Sequence, residues 1–241
     1  MTPEASPFPA QWIGISLEDV GLGKVRPRIG TYGRYEFNLL PPAPAELRGN
    51  WEWLHAEPER HRSIGGGSES KASATADALR TSAARAGVAL PPAFVSFIET
   101  PALHLRIRSS TDCSLDICRE VVPAPTGGGF LVRFLADSQG CVFWYLYLTP
   151  DGSDHAVVSS HDFYGSVAEM EEWGEEPRGS LRIAFAAESF EAFMWRFWLE
   201  NEMWFSEYKG TPMPAAGSRY AEQYLARAAD AERGTAPDPA T

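Results

Sequence analysis

The chain has 241 residues, of which 44% are hydrophobic and 12% aromatic, and its formal net charge is -11 at pH 7. That length and composition suffice for one sizeable core, or for one core with an elaborated extension. The negative balance speaks against nucleic acid and against an anionic membrane surface as direct partners, because phosphate binding needs clustered Lys and Arg.

In chain order, the opening MTPEASPFPAQW has no basic region followed by an apolar run. The three cysteines, Cys113, Cys118 and Cys141, are an odd number, and no apolar run reaches the ~18 residues of a membrane span. The expectation is a cytoplasmic chain in a reducing compartment. Residues 1–70 carry scattered prolines (Pro41, Pro42, Pro44) and short strand-like pieces at Trp12 to Ile15 and Thr31 to Leu40. They read as an N-terminal extension packed on a domain spanning 71–225. Trp12, Trp51, Trp53 and Leu54 are too apolar to leave in water at roughly 25 cal/mol per Å². Gly65-Gly66-Gly67-Ser68 reads as a flexible joint.

From Ala72 to Ala86, Ala76, Leu79, Ala83 and Ala86 share one helical face, and Gly87 ends the helix. Leu90-Pro91-Pro92 then opens a short helix whose inner face is Phe94, Phe97 and Ile98. The period changes to strand-like at Phe130 to Leu135 and Gly140 to Thr149, separated by the turn Asp137-Ser138-Gln139-Gly140. Val142 to Leu148 is apolar on both alternating sets, which predicts a central strand covered on both faces. Pro150-Asp151-Gly152 closes a hairpin, with glycine accepting the positive φ, and His155 to Ser159 returns as the partner strand. Leu181 to Ala186 is a further strand. Ser218 to Ala229 forms a last helix with Tyr220, Tyr224, Leu225 and Ala228 inward, and 226–241 is read as a disordered tail.

Between these last elements lies AAESFEAFMWRFWLENEMWF, Ala186 to Phe205, a helix with two apolar stripes and Ser189 as its N-cap. At 100° per residue, Phe190, Phe193, Met194, Phe197, Trp198, Trp204 and Phe205 fall on one side. Trp195, Leu199 and Met203 form a second stripe nearly opposite. That stripe meets either the chain itself, with Trp12, Trp51 and Trp53 as its cover, or a partner protein.

Charge is uneven. Residues 162–209 hold 11 acids and 4 bases, and Glu169, Glu171, Glu172, Glu175 and Glu176 cluster with Trp173 in a short loop-like stretch. Such a cluster is either a solvated surface or a field that steers a basic partner. Cys141 with His155 or His161 is a weak nucleophile signal, since a cysteine opening an apolar strand ordinarily packs. Asp112, Cys113, Asp116 and Cys118, with His104 upstream and His155, His161 and Asp162 downstream, lack the paired spacing of a zinc site. Gly127-Gly128-Gly129 lacks the Lys-Ser/Thr of a phosphate loop. Bottom-up, no residue set compels an enzyme, a cofactor or a metal.

The helix ending in glycine, followed by Leu90-Pro91-x-x-Phe94-x-x-Phe97, then the run Val142 to Leu148, then Ser189-Phe190-Glu191-x-Phe193 leading through Trp198-Leu199-Glu200-Asn201-Glu202, resembles the SUKH superfamily. That superfamily includes fungal cell-wall regulators of the Smi and Knr type and bacterial immunity proteins of polymorphic-toxin systems. The match covers about residues 72 to 225 and departs from the pattern in Thr100 to Val121, which lacks an acidic, glycine-rich stretch. The resemblance implies an α+β domain with a central, largely antiparallel sheet flanked by helices, no cofactor, and function by protein binding. On this reading the chain is a cytoplasmic immunity-type protein that binds and neutralises a toxin domain, such as a basic nuclease. Its partner-binding candidates are Glu169, Glu171, Glu172, Trp173, Glu175, Glu176, Trp195, Leu199 and Met203. The alternative is a non-catalytic regulatory or scaffold protein with a non-toxin cellular partner.

Overall fold

Every residue of the strand Phe143–Leu148 is buried, and the rest of the architecture follows from covering it twice. The computed structural model describes residues 1–173 and 183–235. In chain order its strands are β1 Gln11–Gly14, β2 Gly33–Glu36, β3 Ser114–Leu115, β4 Val122–Pro123, β5 Phe130–Ala136, β6 Phe143–Leu148, β7 His155–Ser160 and β8 Ala184–Ala187. Its helices are α1 Glu52–His55, α2 Glu69–Ala86, α3 Pro92–Glu99, α4 Pro101–His104, α5 Val167–Trp173, α6 Phe190–Lys209 and α7 Ala215–Thr235. The fold is α+β, with an antiparallel sheet ordered β3-β5-β6-β7-β8 in which β4 also pairs with β5. The first two residues of the strand expected from Leu181 lie outside the described residues.

β6 is interior to this sheet because neither of its alternating side-chain sets tolerates water. The Asp137 side chain accepts the Gln139 and Cys141 N–H groups and holds the turn that precedes it. One sheet face, with Val132, Phe134, Trp144, Leu146 and Val157, joins the core beneath α3 and α6. The other face, with Leu131, Phe143, Tyr145, Tyr147 and Val158, is covered by Phe8, Phe163, Tyr164 and Met170. The free edge of β8 is met by the N-terminal segment, where the Phe185 N–H donates to the Pro9 carbonyl at 2.9 Å. An edge strand with unpaired backbone groups is thereby closed.

Ser189 caps α6 as its position predicts, accepting the Ala192 N–H at 3.2 Å. The first stripe packs on the sheet: Phe190 and Phe193 lie 5.0 and 5.5 Å from Phe134, and Phe197 lies 6.2 Å from Trp144. The second stripe is covered within the chain, and the ring contacts of the tryptophans expected to cover it fall elsewhere. Trp12 packs on Phe193, Trp51 on Phe97 and Phe190, and Trp53 on Trp198, all on the first stripe or its flank. Trp195 instead meets Tyr220 of α7 at 6.1 Å. α7 and the wide turn Glu18–Leu22 pack against α6, and Leu199 and Met203 are fully buried. An apolar stripe of this width is removed from water by whichever element lies nearest, and the closing helix arrives there directly from Gly210.

Two expectations for the C-terminus are corrected. α7 runs to Thr235, so residues 226–235 are helical where a disordered tail is expected; 236–241 lie outside the described residues. Leu225 is 41% exposed, while Tyr220, Tyr224 and Ala228 are buried, because the helix buries its i, i+4, i+8 set and Leu225 falls outside it.

A buried ion pair ties these layers together. Arg26 is fully buried and binds Glu200 of α6 through both terminal nitrogens at 2.6 and 2.7 Å. Glu200 also accepts from Trp12 Nε1 at 2.9 Å and from the Tyr220 hydroxyl at 2.7 Å. Removing one ion of such a pair strands the other in a low-dielectric interior. Arg26→Met or Glu200→Gln is therefore expected to destabilise the protein by about 3–5 kcal/mol, measured by urea unfolding. The double variant should cost less than the sum, because the introduced amide oxygen can still accept from Trp12 or Tyr220 while no charge is left behind.

Candidate functional site

Ser166-Val167-Ala168-Glu169 begins the acidic stretch with a helix start signal, and the structure uses it. The Ser166 N–H donates to Glu169 Oε2 at 2.8 Å and the Glu169 N–H donates to the Ser166 hydroxyl at 3.4 Å, a reciprocal capping box. Val167–Trp173 is consequently a helix, α5, where a loop is expected. Met170 turns toward the second sheet face, and Glu171 and Glu172 are exposed to solvent. Glu175 and Glu176 lie outside the described residues.

Glu169 is not part of the outward charge. Its Oε1 accepts from Arg133 Nη2 at 2.7 Å, and its Oε2 accepts from the Cys118 thiol at 3.1 Å. Arg133 is a lone charge in the apolar strand β5. It is 4% exposed, lies 4.3 Å from the Phe163 ring centroid and also binds Asp116, with Nε to Oδ2 at 2.7 Å. A buried guanidinium must be paired, and here two carboxylates hold it. Burial by itself would raise the Glu169 carboxyl. The Ser166 N–H, the Arg133 guanidinium and the Cys118 thiol overcome that and hold it down at about 2. The node Asp116–Arg133–Glu169 fixes α5 to the sheet and carries one net negative charge. Sequence reasoning singles out neither Arg133 nor Ser166, and it places Asp116 only in a metal-ligand cluster rather than on an arginine. The capping-box spacing and the single arginine within FLVRFL are the signals that reveal them.

Trp195, Leu199 and Met203 do not form a partner-binding surface on the folded chain: all three are buried, beneath α7 and its flanking segments. The candidate site therefore contracts to the acidic surface of α5. It offers fixed negative charge on a rigid element, suited to recognition of a basic surface rather than to bond-making.

The candidate metal-ligand residues are dispersed, whereas of the nucleophile candidates Cys141 and His161 lie side by side, joined through the Cys141 backbone rather than its thiol. Cys141 is exposed in the turn before β6, not buried in the strand, and its thiol is raised by local desolvation and by Asp137. His161 turns its Nδ1 to the Cys141 carbonyl at 2.7 Å. The Cys113 and Cys118 thiols are both raised by burial, the latter to about 11. Asp112 pairs with Arg62 and Asp116 with Arg133. Among the described residues no three of His, Cys, Asp and Glu converge as a metal would require.

The Glu169 carboxyl is lowered from its ordinary value of 4.5 to about 2. A carboxyl lowered on folding contributes stability that is complete above its unfolded value and is lost as the pH falls through its folded value. Urea unfolding across pH should show wild type more stable than Glu169→Gln at neutral pH, with the gap closing between about 4.5 and about 2. No protein-family model matches this chain, and no curated protein or solved structure matches it.

Proposed function

We propose that this protein acts by binding another protein, and that its partner is a basic toxin domain which it neutralises in the cytoplasm, in the manner of SUKH-type immunity proteins. The observation that carries this reading is the acidic helix α5. Its Glu171 and Glu172 are exposed on an element anchored by a capping box and a buried arginine, and Glu175 and Glu176 follow directly in the sequence. Fixed charge of one sign raises association rates with an oppositely charged surface and disfavours wrong partners. The resemblance of Leu90-Pro91-x-x-Phe94-x-x-Phe97 and of the Ser189 to Glu202 segment to the SUKH pattern supports the family assignment within this proposal.

A toxin that acts on nucleic acid presents a basic surface to phosphate. An acidic protein that occupies that surface competes with the substrate for the same charges. A stable complex of this kind buries roughly 1,600 Å². No helix among the described residues is long and apolar enough to cross a membrane, and Cys113, Cys118 and Cys141 are free thiols, which accords with a reducing compartment.

The test uses a candidate toxin domain encoded beside this chain. Stopped-flow association should slow about tenfold or more when Glu171, Glu172, Glu175 and Glu176 are replaced by Lys, and the dependence of the rate on salt should weaken. Co-expression of the wild-type chain should restore growth of cells carrying the toxin. Association rates that the four replacements leave unchanged would remove α5 from the account. Capture of a resident, non-toxin protein through the same surface would assign the regulatory or scaffold role instead.

A further inference from the structure

The glycine run that reads as a flexible joint is pinned in place. Ile64 is buried, its N–H donates to the Ile107 carbonyl at 2.8 Å, and its carbonyl accepts from the Leu115 N–H at 2.7 Å. The fit at Gly65 is tight, since a Cβ there would stand 3.3 Å from His104 Cβ and 2.9 Å from Leu115 Cδ1, the movable end of a half-buried side chain. A Cβ at Gly66 would stand 3.3 Å from Leu105 Cδ2, whereas one at Gly67 would meet nothing within 4 Å. The loop then delivers Gly66, Gly67 and Ser68 to the start of α2, where the Ser68 hydroxyl accepts the Lys71 N–H.

Beside the loop lies a cavity of about 290 Å³. Lys71 and Arg119 both line it, and neither is in an ion pair with a described residue. Two cations without such a pair on one cavity stand out in a chain of net charge -11. The N–H groups of the first turn of α2 that Ser68 leaves free add positive potential at the same end. Asp116 also lines the cavity, but its carboxylate is taken by Arg133 at 2.7 Å.

His104 supplies an independent signal. It lines the same cavity, is 6% exposed, and its Nε2 lies 2.7 Å from the Phe97 carbonyl. A carbonyl can only accept, so that bond assigns the proton to Nε2. Burial lowers the pKa of the ring and keeps it neutral. Nδ1 is then a lone-pair acceptor with no hydrogen bond to a described residue, and it is open to a donor rather than sealed from solvent. Ile98 and Ile117 complete the wall with apolar surface.

We propose that this cavity binds a small hydroxylated phosphomonoester. Its phosphate sits against the Gly66-Gly67-Ser68 backbone between Lys71 and Arg119, its hydroxyl donates to His104 Nδ1, and its carbon body rests on Ile98 and Ile117. A terminal phosphate carries close to two negative charges and three acceptor oxygens, which two cations and a helix start match better than they match a carboxylate. This inference is independent of the partner assigned to α5.

The test is a ¹H–¹⁵N titration of the full chain with glycerol 3-phosphate, compared with inorganic phosphate and with lactate. The expected result is saturable shifts at the Gly66, Gly67 and Ser68 amides, with glycerol 3-phosphate bound more tightly than either comparison probe. Lys71→Ala and Arg119→Ala should each weaken binding by about tenfold or more, and Lys71→Arg should preserve it. Both side chains are exposed, so the fold survives these changes. The proposal is overturned if glycerol 3-phosphate produces no saturable shifts, or if the double alanine variant binds as well as wild type. Lactate binding as tightly would overturn the phosphate assignment. Inorganic phosphate binding as tightly would overturn the hydroxyl contact to His104, and with it the ligand class.

Discussion

Glu200, a carboxylate on the long helix α6, is the constraint on which the assembly of this protein depends. It is 2% exposed and accepts four hydrogen bonds, two from Arg26 and one each from Trp12 and Tyr220. An unpaired carboxylate in that position would be several kcal/mol unfavourable, so α6 can be buried only when all three partners are present. Those partners come from the first strand, from the segment after the turn Glu18–Leu22, and from the last helix. The Arg26 guanidinium is itself held over the Tyr35 ring at 4.1 Å and donates to the Ile15 carbonyl at 2.6 Å. One carboxylate thus couples the N-terminal residues, the central helix and α7 into one packed body.

The same logic repeats along α6. Glu191 accepts from Trp53 Nε1 and from the Gly49 N–H, Arg196 chelates Glu188, Asn201 accepts from Ser110, and Glu202 binds Arg108 through two nitrogens. These polar side chains reach several separate parts of the chain, with Asn201 and Glu202 sharing the segment from Arg108 to Ser110. This is why a helix with charges on every turn can be sheathed on all sides. Hydrophobic contacts hold it without direction, whereas the polar contacts specify which segment lies on which face.

These pairings also change the meaning of the acid-rich region. Of its carboxylates, Glu169, Glu188, Glu191, Glu200 and Glu202 are taken up by internal partners, which leaves Glu171 and Glu172 on α5 and Glu207 near the end of α6 as outward charges among the described residues. The field available to a partner is narrower than the residue count suggests. Asp116 belongs to two features at once, lining the cavity beside the glycine loop and binding the arginine that anchors α5. A change in Asp116 would therefore reach both.

Local pattern was enough for the elements whose chemistry is short-range. Alternation placed the two-sided strand Val142 to Leu148, proline and aromatic spacing placed Pro92–Glu99, and a serine before an apolar run placed the start of α6. Two apolar stripes likewise required two covers, whatever those covers were. Which element supplied each cover depended on contacts between residues far apart in the chain. Tyr220 rather than Trp12 meets Trp195, Arg26 finds Glu200 across 174 positions, and Arg133 withdraws Glu169 from the surface. Periodicity reports how much surface must be buried and on which side of an element. The choice of partner comes from geometry and from the requirement that every buried charge be satisfied, and only the folded chain meets both conditions together.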